Sequence, residues 1–171
     1  MGELYQNPGQ RTRGDAPRLL VDAMLGRLAR WLRLLGCDTV LASNDEHDAD
    51  LVRRARAEDR IILTRDTSLA RRRGVSVMWI ASMDLAEQLR QVVTCLGIGR
   101  ERIGTRCLMC NSSLTLLDRE AARDRVPPYV WETQEQFHYC PGCDRVYWAG
   151  THWEHMRARL VEMLGPIMDE E

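Results

Sequence analysis

Between residues 18 and 98 short apolar runs alternate with segments of helical period, and this alternation restricts the fold more than any other feature. RLLV (18–21), DTVLA (38–42), RIILT (60–64) and VSVMWI (75–80) are predicted strands. MLGRLARWLRLL (24–35), ADLVRRARAE (49–58), a short piece after Asp66 and a segment from about 85 to 96 are predicted helices. On the first helix Leu25, Leu28, Trp31, Leu32 and Leu35 form the apolar face, and Arg27, Arg30 and Arg33 share the solvated side. Gly36 closes it as a C′ residue, and Asp84 and Glu87 stand at capping-box spacing ahead of the last. Strands that alternate with helices pair in parallel, because each crossover helix must pack back on the sheet. The expected fold class is α/β: a small parallel sheet flanked by helices.

After Gly97 the character changes. Residues 99–165 hold few aliphatic runs, a central Pro127-Pro128, and a final helix over 152–164 announced by Thr151 and Glu154 at capping-box spacing. The expected division is a flexible leader (1–17), an α/β domain (18–98), a metal ribbon with a terminal helix (99–165) and an acidic tail (166–171). No stretch has the length of a membrane span and no apolar signal segment is visible, so the expected location is the cytoplasm.

Cys107-Leu-Met-Cys110 and Cys140-Pro-Gly-Cys143 explain how so core-poor a segment folds. Each C-x-x-C knuckle aims two thiolates at one point, and two knuckles complete a tetrahedral site with no open position. Such a site is structural, with zinc the expected metal and rubredoxin-like iron the alternative. Cys37 and Cys95 lie among apolar residues and read as buried thiols. His138, His152 and His155 read as packing or capping residues near the ribbon.

Acids stand where a parallel sheet exposes its strand ends. Asp22 follows the first strand, Asp66 the third, and NDEHDAD (44–50) the second, supplying Asp45, Glu46, Asp48 and Asp50. Ligands of open parallel sheets bind beyond the carboxyl ends of the strands. Carboxylates gathered there repel one another unless a cation lies between them, and hard oxygen donors suit Mg²⁺ or Mn²⁺. Read singly, Asp48 and Asp66 also fit helix N-caps, and Asp84 fits a cap better than a fourth ligand.

The formal net charge of -1 gives no overall attraction to nucleic acid, so any basic surface must be local. Arg27 and Arg30 on the first helix, and Arg71 and Arg72 near the Asp66 loop, are candidates for phosphate contact, against the plainer reading of solvated faces.

LLVDAMLGRLARWLRLLGCDT, IILTRDTSLA, CLMCN and CPGCDRVYWAGTHWEHM together resemble the PIN-like ribonuclease family named for the C-terminal domain of the Mut-seven exonuclease. The resemblance spans roughly residues 18 to 160 and implies a metal-dependent nuclease on a PIN-like fold with a zinc ribbon. It places Asp22 at the first acidic position and Asp66 at the later one. The middle position falls on Asp48, ahead of Leu51 and Ala55, with Asp45 and Asp50 as neighbours in register. The function expected is hydrolysis of single-stranded RNA with Mg²⁺ or Mn²⁺ on Asp22, Asp48 and Asp66. Trp131, Tyr139 and Trp148 would either stack on bases or form the ribbon's core, the latter being the default. The alternative is a non-catalytic RNA- or protein-binding adaptor. DNA cleavage, endo- against exonucleolytic action, protein partners and oligomeric state are open at this level.

Overall fold

The computed structural model describes residues 17–165, so most of the leader and the acidic tail lie outside the described residues. Four parallel strands, β1 (Arg18–Val21), β2 (Asp38–Leu41), β3 (Ile61–Thr64) and β4 (Val77–Trp79), form a sheet of order β2-β1-β3-β4. Its register aligns Leu20 with Val40 and Ile62, and Leu63 with Met78. The observed strands fall within the predicted runs; β4 alone is markedly shorter than its six-residue run.

Alternation along the strands divides the apolar side chains between two faces. Leu19, Val21, Ile61, Leu63 and Met78 join one core with α1 (Gly26–Leu34) and α4 (Leu85–Leu96). Leu20, Ile62 and Val77 join the other with α2 (Asp48–Glu58) and the single turn α3 (Thr67–Ala70). These strands are buried on both faces, as the continuous apolar runs require. Gly36 ends α1 at φ 83°, and a Cβ there would collide with the Arg102 carbonyl, so two demands fall on one glycine.

The ribbon is a three-stranded antiparallel sheet of β5 (Thr115–Leu117), β6 (Phe137–Cys140) and β7 (Arg145–Trp148). Two short helices, α5 (Arg119–Ala122) and α6 (Pro128–Thr133), bridge β5 to β6. Its own core is small: Ala122, Val126, Val130 and Phe137, with Trp131 and Trp148 packed against them. Those two tryptophans thus take the core role. Tyr139 lies outside that cluster, under the Arg125 guanidinium at 4.8 Å.

The terminal helix α7 (Thr151–Leu164) leaves the ribbon and packs on α4, burying Met156, Leu160, Met163 and Leu164 in the α1/α4 core. Thr151 is its first helical residue and not its cap; Gly150 occupies that position without a side-chain bond. At α4 the cap is as expected, with Asp84 accepting from the Glu87 amide at 3.0 Å, but Glu87 returns to Ser82 and not to the Asp84 amide. No described helix is long and apolar enough to cross a membrane.

Candidate active site and metal centre

The strand order reverses between β1 and β3, because the chain runs from β1 outward to β2 on one side and to β3 and β4 on the other. That reversal opens a crevice beyond the carboxyl ends of the two strands, and Asp22 and Asp66 stand at it. Asp22 continues the β1 pairing by donating its amide to the Leu63 carbonyl at 2.9 Å. The buried Thr64 hydroxyl donates to Asp22 Oδ2 at 2.6 Å and accepts from the Asp66 amide at 3.0 Å. One hydroxyl therefore fixes both acidic residues. The sequence motif T-x-D contained this threonine, but nothing in the spacing announced that its side chain would be the tether.

Asp66 caps α3: its Oδ1 accepts from the Ser68 amide at 2.6 Å and the Leu69 amide at 3.3 Å. Asp22 makes no capping bond to the 3-10 turn that follows it. Each carboxylate thus has one oxygen held by these bonds and a second that no described hydrogen bond occupies.

Asp48 differs from expectation as a cap. His47 takes the N-cap position of α2, and Asp48 is the first helical residue with no capping bond. Its nearest charged partner is Arg72, at 4.0 Å, which ties the start of α2 to the loop after α3. Asp45 accepts from the Ser43 hydroxyl, which with the local backbone lowers its pKa, and Asp50 pairs with Arg53 at 2.5 Å. Among the described residues Asp22, Asp48 and Asp66 do not converge on one point within single-ion reach.

Of the phosphate-contact candidates, Arg27, Arg30, Arg71 and Arg72 are all exposed. Arg56 holds the loop beside the last two through the Arg73 and Gly74 carbonyls, at 2.8 and 2.9 Å. Arg33 departs from the solvated face assigned to it. It turns inward, donating to the Thr39 carbonyl at 2.9 Å and to the Leu108 and Met109 carbonyls at 3.0 and 2.8 Å. Arg65, between the Thr64 tether and Asp66, carries a buried Nε without a partner among the described residues.

The four cysteines do converge. All their Sγ atoms lie within 4.8 Å of one another, with Cys107–Cys143 at 3.6 Å and Cys110–Cys140 at 3.3 Å. Zn–S bonds of about 2.3 Å in a tetrahedron require sulfurs about 3.8 Å apart, so the donor set fits zinc. Each knuckle turns through a residue of positive φ directly after its second cysteine, Asn111 at 71° and Asp144 at 58°. Asn and Asp tolerate that region best among non-glycine residues, which accounts for their place in both knuckles. At Gly142 a Cβ would strike the Ser112 hydroxyl and crowd Cys110 Sγ, so the second knuckle admits no side chain there.

The thiols are unequal. Burial opposes ionisation at Cys110, yet hydrogen bonds with Ser112 and the neighbouring thiols bring it down to about 6. Burial and the adjacent thiols push Cys143 up to about 12. Sulfurs this close cannot all ionise without a cation among them. The Tyr147 hydroxyl, 3.0 Å from Cys107 Sγ, adds a donor beside the ligands that the cysteine spacing does not announce. Of the remaining two cysteines, Cys37 is buried as expected, and burial raises its thiol to about 12. Cys95 is exposed on α4, because it falls outside that helix's buried stripe. His152 and His155 are both exposed on α7.

The chain is thus an α/β protein with acids at its topological switch point and a four-cysteine site in a C-terminal ribbon. The Mut7-C RNAse domain family model matches residues 17–160, and the chain belongs to that family. No curated protein and no solved structure matches it.

Proposed function

We propose that this chain is a metal-dependent ribonuclease that hydrolyses single-stranded RNA at the crevice between β1 and β3. The observation that carries the reading is the Asp22–Thr64–Asp66 arrangement, in which one buried hydroxyl holds the Asp22 carboxylate and the Asp66 backbone amide, and each acid keeps a carboxylate oxygen without a hydrogen bond among the described residues.

Asp22 and Asp66 would hold Mg²⁺ or Mn²⁺, with Asp48 joining them from α2. When bound, such ions lower the pKa of a water and stabilise charge on the phosphate oxygens. Paired ions in nucleases lie about 3.5–4 Å apart, which spreads their ligands over more than one point and suits three acids that do not share a single centre. Thr64 holds the Asp22 carboxylate in one orientation, so its free oxygen keeps its direction as substrate enters. The reaction forms one P–O bond from water and breaks another to the leaving ribose oxygen, in line. The zinc held by Cys107, Cys110, Cys140 and Cys143 stabilises the ribbon and takes no part in cleavage.

The test is incubation of the full chain with end-labelled single-stranded RNA or DNA, with Mn²⁺ or with EDTA. Mn²⁺-dependent shortening of RNA, lost in Asp22→Asn, is expected. Absence of cleavage with Mg²⁺ and Mn²⁺, or cleavage that survives Asp22→Asn, would overturn the assignment and leave a binding adaptor.

A further inference from the structure

Helices α1 and α4 run antiparallel to the strands they follow, so both begin at the edge of the sheet that carries Asp22. The far end of α7 returns to the same place. Between these three helix ends lies a half-open groove of 360 Å³ whose lining includes Arg27, Arg90 and Arg159, one arginine from each helix. None of the three guanidinium groups has a hydrogen bond or ion pair among the described residues. The acids of the lining are Asp84, committed to capping the Glu87 amide, and Glu162.

Three unpaired guanidinium groups held together repel one another, and each pairs best with an anion that accepts two parallel hydrogen bonds. Phosphate meets that demand. The lining is not purely polar: Met83 is 76% exposed, and Met163 also lines the groove. Soft apolar side chains beside guanidinium groups match the alternation of base and phosphate along a single strand.

We infer that this groove is the track of the RNA strand beside the cleavage site, with Arg27, Arg90 and Arg159 contacting its phosphates. The inference rests on the ribonuclease reading and extends it to two residues, Arg90 and Arg159, outside the sequence candidates. It also gives α7 a role in substrate binding: the chain after the ribbon returns to complete the nuclease surface. The arginines position the strand and take no part in bond breaking.

The experiment is a binding titration of fluorescent oligouridylate without added Mg²⁺ or Mn²⁺, where no cleavage is expected and the ribbon keeps its zinc. Arg90→Ala and Arg159→Ala should each weaken binding about tenfold, the worth of one charge-assisted bond to phosphate. The slope of log affinity against log salt should also flatten by about 0.7 per residue, the share of a single phosphate on a single strand. Lysine at either position should restore the slope and part of the affinity. Arg157→Ala, which removes the same charge from α7 outside the groove lining, should leave both unchanged.

In a cleavage assay with Mn²⁺, the groove variants should raise KM and leave kcat within about twofold, since uniform binding is what they remove. Wild-type affinity and slope in Arg90→Ala and Arg159→Ala would overturn the track while leaving the nuclease reading intact. An equal loss in Arg157→Ala would reduce the effect to net charge and overturn it as well. So would uridine monophosphate competing as strongly as the oligomer, because the groove would then be a small-ligand pocket. Binding that follows the groove variants in a protein unable to cleave would sustain the track and sink the nuclease reading alone.

Discussion

The Asn111 carboxamide donates from Nδ2 to Asp38 Oδ1 at 2.8 Å and accepts the Thr39 amide through Oδ1 at 2.8 Å. Asn111 is the positive-φ residue that closes the first cysteine knuckle, and Asp38 opens β2 at the free edge of the parallel sheet. One side chain thereby covers part of an exposed strand edge and joins the metal ribbon to it. Arg33 fastens the same junction from α1 through the Leu108 and Met109 carbonyls. The ribbon is therefore docked to the sheet on one side by its first knuckle, while α7 returns to the sheet's helical layer on the other.

Asn111→Ala should cost stability by removing bonds to a partly buried carboxylate and to an edge amide, roughly 1–3 kcal/mol. Part of that loss comes from the αL backbone, which alanine tolerates less well than asparagine. Asn111→Gly, which relieves the backbone and still lacks the bonds, separates the two causes. Urea unfolding of both variants, with zinc content checked by elemental analysis, measures them. A glycine variant as stable as the wild type would show that the Asp38 and Thr39 bonds carry little.

The same junction predicts a pH dependence. Burial alone would raise the Asp38 carboxyl, but hydrogen bonds from Arg60 and Asn111, with the charges of Arg60 and Arg106, hold it down to about 2. Its unfolded value is about 3.9. A folded pKa below the unfolded one means stability that is fully present above about pH 4 and lost as the pH falls toward 2. The wild-type chain should lose more stability over this window than Asp38→Asn does. Thermal midpoints of the two proteins from about pH 5 to 2.5 test this, and parallel curves would remove Asp38 as the cause.

Zinc removal should loosen the ribbon first and the edge strand β2 next, in that order. The ribbon's own core is four buried residues with Leu117, Trp131, Val146 and Trp148 packed on it, too little to fold such a segment without its metal. Hydrogen exchange after chelation, or in Cys140→Ser, should speed up across β5 to β7 and at Thr39, whose amide bonds to Asn111. The central β3 amides should keep their protection, because β1 and β4 flank that strand. Uniform loss of protection across the sheet would mean the two units unfold together.

How much of this was legible in the chain depends on which interactions are local. Strand positions, the parallel class and the four-cysteine site follow from short-range periodicity and paired spacing. The caps were only partly legible: Asp84 and Asp66 cap as spacing suggests, whereas Asp48 sits one residue inside its helix and Thr151 begins its own. Arg33 could not be placed from its helical face, since its partners are backbone carbonyls of a knuckle far along the chain. Thr64 was invisible for a related reason. Its hydroxyl matters only because β1 and β3 are adjacent, and a threonine in a strand is ordinary. The arginine groove needed α7 to return to the sheet, which no local pattern announces.

Thr64 makes a prediction that the acids alone do not. Thr64→Val keeps shape and β-branching but leaves Asp22 Oδ2 and the Asp66 amide without the hydroxyl. Thr64→Ser keeps the hydroxyl at the cost of a buried methyl group, about 1 kcal/mol. Serine should therefore keep kcat near the wild-type value despite its lower stability, whereas valine should reduce kcat at least about tenfold, as expected when a ligand loses its orientation. Equal kcat in the valine variant and the wild type would show that the tether does not orient Asp22.

The cap that Asp66 makes and the metal ligation proposed for it can be pulled apart. Its Oδ1 caps α3 through the Ser68 and Leu69 amides, and its other oxygen has no hydrogen bond among the described residues. Asparagine caps a helix about as well as aspartate, so Asp66→Asn should change stability by no more than about 1 kcal/mol. Asp66→Ala loses the cap as well and should be less stable than Asp66→Asn by about 0.5–2 kcal/mol. A hard divalent ion draws much of its binding from the negative carboxylate, which both variants lack. Stability should thus separate the two substitutions while Mn²⁺ affinity and RNA cleavage fall together in both. Asp22→Asn, where no cap is at stake, should lose activity in the same way. If Asp66→Asn binds Mn²⁺ and cleaves RNA like the wild type, the carboxylate serves only the helix, and the metal site must be sought elsewhere along the strand ends.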